Sequence, residues 1–478
     1  MIKNFKWLVL VSLTFVACNS NDDAVIDANS SDGLPLTAGS ADFSKYVALG
    51  DSFAAGFSDN ALFIEGQKNS YPSILATQFA LVGGGDFIIP LMNDNIGGFS
   101  TGGTQIPQFG PRLYLAPGNI PTPVTGPSTT DITTHLTGPF NNYGIPGAKV
   151  VHLDFSGYGS SIGNPYFARF ASNPAATVVD DAVANDPTFF SLWIGGNDVL
   201  GYATSGGIST NPITPPSLFE PAYNGLITKL VASGRKGVIA NLPYVSALPY
   251  FTTVPYNPVP LNATVAAQLN AGYAAYNNGL LFAQSNGLLS AAEVAQRTIS
   301  FSASATNAVV IVDEYLTNLT SFGIPSYRQA TNEDLIILPA RSFIGTTVGG
   351  NPAQVNGVSV PLADNWVLSK REIDEVKIAT DAYNTTIQNA ASANGLAFVD
   401  AKAIMTQLST TGLAQNGYTM TSAYVTGNTF SLDGVHPSPK GYALIANKFL
   451  EAINATYGSN FKGVNLGQYQ ILYSATLP

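Results

Sequence analysis

Tyr46-Val47-Ala48-Leu49-Gly50-Asp51-Ser52 is a short apolar run that ends abruptly in a glycine, a carboxylate and a hydroxyl. A continuous apolar run of this length reads as a strand buried on both faces, as in a parallel sheet covered by helices on either side. Four further runs follow: one ending near Asn142, Thr188 to Ile194, Val238 to Leu242, and Leu396 to Val399. Their spacing, with helical patterns between them, predicts an α/β domain around a mostly parallel five-stranded sheet. Open sheets of this kind gather ligands at the carboxyl ends of their strands, which is where Ser52 falls.

The helices have readable ends. Ser369 and Glu372 form a Ser-x-x-Glu capping box, Ile373, Val376, Tyr383 and Ile387 recur near helical spacing, and Gly395 supplies the stop. Ser438 can cap and Pro439 can open a closing helix whose apolar stripe is Tyr442, Ile445, Ala446, Phe449, Leu450 and Ile453. The remaining length sits in three insertions rich in Gly, Pro, Thr and aromatic residues, at about 83–140, 244–261 and 286–365. They suit either a lid over the site or a second structural layer.

Of the 478 residues, 45% are hydrophobic and only 10% charged, against about 25% charged in an ordinary soluble domain. The polar surface therefore comes from Asn, Ser, Thr and Tyr. A net charge of −10, with no Lys/Arg cluster after residue 6, argues against nucleic acid as a partner. The one cysteine, Cys18, can form no intramolecular disulfide. Lys3 and Lys6 precede an apolar run from Trp7 to Ala17, which has the charge and length of a secretory signal and is too short to span a bilayer comfortably. Phe15-Val16-Ala17-Cys18 resembles the lipobox of bacterial lipoproteins, with Phe where Leu is usual. The expectation is a signal peptide over 1–17, a lipidated Cys18, a flexible Ser/Asp/Gly-rich tether over 18–41, and a single domain over 42–478. Asn19 to Asp23 resembles the acidic surface-export signals of some Gram-negative lipoproteins. The location that follows is the bacterial cell envelope, anchored by lipid at the outer membrane, on its periplasmic or its surface face.

Four segments carry residues suited to chemistry. Ser52 at a strand end presents a hydroxyl and its own backbone N–H to one ligand. Of three histidines, only His436 stands in an Asp-x-x-His arrangement before a capped helix, so that one short turn lets Asp433 orient one imidazole nitrogen while the other faces a serine. Gly195-Gly196-Asn197-Asp198 ends the third strand, where the Asn197 amide can donate to a developing oxyanion or simply cap the next turn. Asn142-Tyr143-Gly144-Ile145-Pro146-Gly147-Ala148 can supply the Gly147 N–H.

In their order along the chain, these segments resemble the four consensus blocks of the SGNH (GDSL) hydrolases. Ser52, Gly147, Asn197 and His436 match the four named residues, and Asp433 matches the triad acid; Phe53 stands where Leu is common, and the insertions roughly double the usual length. The resemblance implies a three-layer α/β/α, flavodoxin-like fold. It further implies an acyl-serine mechanism with Ser52 as nucleophile, an oxyanion hole from Ser52, Gly147 and Asn197, and no cofactor. The substrate is then an ester, with an acyl group carried by a glycan or by a lipid. The competing reading is a non-catalytic surface lipoprotein that binds glycan or protein on the same scaffold.

Gly159-Ser160-Ser161-Ile162-Gly163 fits the Gly-x-Ser-x-Gly elbow of another hydrolase class, but lacks its strand-to-helix context, with no helix evident after Asn164-Pro165. His152 and Asp154 read as local polarity rather than as a metal pair.

Overall fold

The computed structural model describes residues 27–208 and 210–478. The signal, the lipobox and Cys18 lie outside the described residues.

Five strands form the central sheet: β1 (Tyr46–Gly50), β2 (Asn142–Gly144), β3 (Phe189–Trp193), β4 (Lys236–Ala240) and β5 (Ala397–Val399). Their order is β2-β1-β3-β4-β5, and every pairing is parallel. This is the flavodoxin-like order, whose change of winding direction between β1 and β3 opens a crevice at the carboxyl ends of those two strands. The second strand begins at Asn142 instead of ending near it. Asn142 is buried yet satisfied: its Nδ2 donates to Ala54 O (2.9 Å), and its Oδ1 accepts the Gly144 N–H (2.9 Å). A search for apolar runs therefore passes it over.

The named helices are α1 (Ser52–Ala55), α2 (Tyr71–Phe79), α3 (Val178–Ala184), α4 (Asn197–Thr204), α5 (Pro216–Val231), α6 (Ala263–Ser285), α7 (Lys370–Asn394), α8 (Ala401–Thr410) and α9 (Pro439–Tyr457). Helices α2 and α9 pack together over one face of the sheet, and α3, α5 and α7 cover the other, giving three layers. Both expected helix starts are present. The Ser369 N–H donates to Glu372 Oε2 (2.6 Å) at α7, and the Gly441 N–H donates to Ser438 Oγ (3.0 Å) at α9. Tyr442, Ala446, Phe449, Leu450 and Ile453 are buried along the inner face of α9.

The long insertion over 286–365 is a packed layer. It contains the helix Ala291–Arg297 and the antiparallel pair Val310–Val312 with Tyr327–Gln329. Buried Arg328 binds Asp313 (2.6 Å) and both oxygens of Asp334 (2.6 and 2.7 Å), so its charge is paired on two sides. Val309, Val310, Ile311 and Ile336 of this layer join the main hydrophobic core.

The expected tether departs from the structure over its described part. The Ser31 N–H donates to Asn460 O (2.8 Å), the Thr37 N–H to Asn460 Oδ1 (2.8 Å) and the Ser40 N–H to Tyr457 O (2.8 Å). The chain from Asn29 to Ser40 is therefore docked on the segment after α9, through polar and backbone groups that leave no apolar period in the sequence.

Candidate active site

Ser52 is the first residue of α1 and is 7% exposed. Asp51 caps this turn, its Oδ1 accepting the Phe53 N–H at 3.0 Å. The turn lies so close to β2 that a Cβ on Gly144 would stand 2.2 Å from the Ala55 nitrogen, so only glycine fits there.

The Asp433–His436 turn faces it. His436 Nε2 lies 2.8 Å from Ser52 Oγ, and His436 Nδ1 lies 2.9 Å from Asp433 Oδ2. Asp433 is fully committed: its Oδ1 accepts the N–H of Val435 and of His436 (both 2.8 Å), and its Oδ2 also accepts the Asn60 N–H (2.9 Å). Gly434 takes φ 73°, the left-handed conformation that the turn requires, and its carbonyl accepts the Tyr250 N–H (2.9 Å). Phe53 and Phe57 flank the imidazole, with ring centroids 5.4 and 4.6 Å from it.

Asn197 reaches across to the loop that carries Gly147. Asn197 Nδ2 donates to Ala148 O (3.0 Å), which ties the start of α4 to the Gly147 loop. Gly147 is exposed at φ 80°, with open space where a side chain would be. This wall adjoins the serine turn: the Ile145 N–H donates to Gly50 O (3.0 Å), and a Cβ on Gly196 would stand 3.4 Å from Asp51 Oδ2.

The carboxyls around the site are shifted in opposite directions. Burial pushes Asp51 up to about 7, against the Phe53 N–H and His436, and nearby Asp198 adds to the rise. Burial likewise pushes Asp198 up to about 6, although its Oδ2 accepts the Val150 N–H (2.9 Å); its Oδ1 is buried without a partner among the described residues. For Asp433, burial would also raise the value, but the His436 ring and the Val435 and His436 N–H groups outweigh it and hold the carboxyl below its ordinary range. Asp433 is the one of the three whose surroundings favour the ionised form over burial.

The remaining candidates lie elsewhere. His152 Nδ1 accepts the Lys149 N–H (3.0 Å) and its ring stacks on Tyr158, while Asp154 pairs with Lys229 (2.5 Å), so the two form no site. His135 Nε2 lies 3.0 Å from Ala171 O. Ser161 is exposed on a turn. A one-turn helix does begin at Pro165, capped by Asn164, contrary to the reading of that segment, but no strand precedes it. Among the described residues no group of three or more His, Cys, Asp or Glu is arranged to hold a metal ion.

Sequence reasoning missed Asn60, Asp51 and the two phenylalanines. Asp59 and Asn60 both have positive φ (51° and 68°), and an Asp-Asn pair at a turn is the one signal that marks them.

Residues 294–449 match the family described as GDSL-like lipase/acylhydrolase. The match covers about a third of the chain, from the third insertion through most of α9. The matched stretch carries Asp433 and His436, and the geometry above joins Ser52, Gly147 and Asn197 to it. What that stretch is similar to is a family of ester hydrolases. Comparison with curated proteins gave no match. Among solved structures, it is similar to LAE5, an alpha/beta hydrolase enzyme from the metagenome of Lake Arreo, Spain (12% identity, 87% of this chain and 97% of that one, TM-score 0.34). It is also similar to a mutant of Axe2, an acetyl-xylooligosaccharide esterase from Geobacillus stearothermophilus (12%, 87% and 95%, 0.33). A third is an extracellular lipase from Streptomyces rimosus (12%, 86% and 98%, 0.28). At these TM-scores the likenesses carry nothing further for this GDSL-like chain, whose fold rests on its own sheet order.

Proposed function

We propose that the protein hydrolyses carboxylic esters through an acyl-serine intermediate on Ser52. The observation that carries this is the continuous hydrogen-bonded line Ser52 Oγ, His436, Asp433, at 2.8 and 2.9 Å. His436 Nε2 takes the hydroxyl proton as Ser52 Oγ bonds to the ester carbonyl carbon, and Asp433 stabilises the imidazolium. The same proton passes to the departing alcohol when the C–O bond breaks. Water then repeats the sequence on the acyl-serine and releases the acid. Ser52 N–H, Gly147 N–H and Asn197 Nδ2 serve as the oxyanion donors, Asn197 by turning from Ala148 O toward the carbonyl.

Two apolar cavities beside the site, of about 60 and 40 Å³, share Phe53, Trp193, Pro243 and Leu248. Both are far below the roughly 300 Å³ at which ligand pockets begin, which favours a short acyl group. The test is hydrolysis of p-nitrophenyl esters from acetate to palmitate by the wild type and Ser52→Ala. Turnover highest on the short esters, and abolished in the variant, is the expected result. Equal turnover in the variant rejects Ser52.

We also propose that Cys18 is acylated and holds the enzyme at the cell envelope. The support is the sequence alone: a basic start, an apolar run and a cysteine at its end. Cys18→Ala should release the protein from the membrane fraction; retention there argues against the anchor. Among the described residues, no helix is long and apolar enough to cross a membrane.

A further inference from the structure

We infer that a groove on the Asp433 side of the site binds the carbohydrate part of a glycan ester, an inference that rests on the esterase reading above. The groove encloses about 1020 Å³. Three insertions far apart in sequence meet there: Asn119 from the tip of the hairpin pairing Leu113–Ala116 with Ile120–Pro123, Thr252 and Thr253 from the second insertion, and Arg341 from the third. The wall is completed by the loop over 421–426 and the end of α8.

Three parts of the wall are tied to the triad turn or to its immediate neighbours. Tyr424 Oη donates to Leu432 O (2.6 Å), the residue before Asp433. Tyr250, in the one-turn helix Pro249–Thr252, donates its N–H to Gly434 O (2.9 Å). The hairpin is held by the Leu113 N–H on Asp59 O (2.8 Å), next to the Asn60 N–H that binds Asp433. The walls that would hold a ligand are thereby bonded to the residues that flank and form the turn orienting His436.

The lining selects the chemistry. Eight of the fourteen lining side chains carry a hydroxyl, and none carries a carboxylate. Six of these hydroxyls, those of Thr252, Thr253, Ser409, Thr410, Tyr424 and Thr426, donate to backbone carbonyls and so present oxygen lone pairs that a sugar's O–H groups can donate to, while Arg341 adds donors and the Tyr424 ring offers an apolar face to sugar C–H groups. A fatty chain would cover the oxygens and the Arg341 guanidinium without bonding to them, at a cost for each one it desolvates. A polyanion would meet one cation on a chain of net charge −10. Val425 lines the groove at φ 64°, a left-handed conformation unusual for a β-branched residue. The Gly427 N–H on Ala423 O (2.8 Å) and the Thr421 N–H on Gly427 O (2.7 Å) help to hold the loop in that shape.

Arg341→Ala and Thr410→Trp alter exposed groove residues outside the triad and test the inference. The probes are acetylated xylo-oligosaccharides, their deacetylated forms, and p-nitrophenyl acetate. The expected result is a KM on the acetylated oligosaccharides raised about tenfold or more, with kcat and p-nitrophenyl acetate turnover near wild type. Ligand-observed NMR should show wild type binding the deacetylated oligosaccharides and Thr410→Trp failing to. Unchanged KM in both variants, or no oligosaccharide binding by wild type, overturns the groove while leaving the triad standing. Failure of the esterase reading is distinguishable: wild type would then turn over neither ester, whatever it binds.

Discussion

The two sides of Ser52 are built on different plans. On the base side, the four residues Asp433 to His436 form one turn in which the carboxylate accepts three bonds from its own segment and one from Asn60. On the side proposed to hold the oxyanion, Gly147 and Asn197 come from different crossovers of the sheet, and the Asn197 amide bonds to a backbone carbonyl of the opposite loop. The base side is thus preorganised by local sequence, whereas the oxyanion side depends on β1, β2 and β3 being in register. A compact turn orients its imidazole within four residues, whereas a wall between loops relies on contacts distant in sequence.

The contrast can be broken first on the base side. Asp433→Asn should lower kcat by about 10⁴-fold, because the acceptor that selects the imidazole tautomer is lost while the turn persists. A loss under tenfold would mean that another group orients His436. On the other wall, Asn197→Ala should cost about 10²–10³-fold in kcat and leave the fold intact. Near-wild-type turnover would remove Asn197 from the site and leave the oxyanion to backbone donors alone.

The smallest effect concerns stability. The Asp51 carboxyl is raised from 3.8 to about 7 in the folded chain. Between those values the folded state keeps a proton that the unfolded state has released. Its contribution is full below the unfolded value and is lost as pH rises through 7. Asp51→Asn retains an acceptor for the Phe53 N–H without that charge, so it should gain relative to wild type between pH 5 and pH 8, on the order of 1 °C in Tm per kcal/mol recovered in a chain of this length. Melting curves that shift in parallel over this range would show that Asp51 does not hold the proton.

Much of this was legible in the sequence, for local reasons. β1 and β3 are continuous apolar runs, α7 and α9 carry their own caps, and the Asp-x-x-His turn is complete within four residues. What escaped depends on partners distant in sequence. Asn142 is tolerated inside β2 only because Ala54 O and the Gly144 N–H satisfy it. Residues 29–40 dock through bonds to Tyr457 and Asn460 rather than through an apolar stripe. Asn60 serves Asp433 through its backbone, which no side-chain pattern reports. The groove draws on residues from Asn119 to Thr426, and nothing in any one stretch announces it.

The most direct test of the central claim is covalent: treat the protein with a fluorophosphonate that reacts with activated serines, digest it, and locate the adduct by mass spectrometry. The account predicts one adduct, on the peptide containing Ser52, absent from Ser52→Ala and slowed in Asp433→Asn. An adduct on Ser161, or undiminished ester hydrolysis with Ser52 unlabelled, would contradict it.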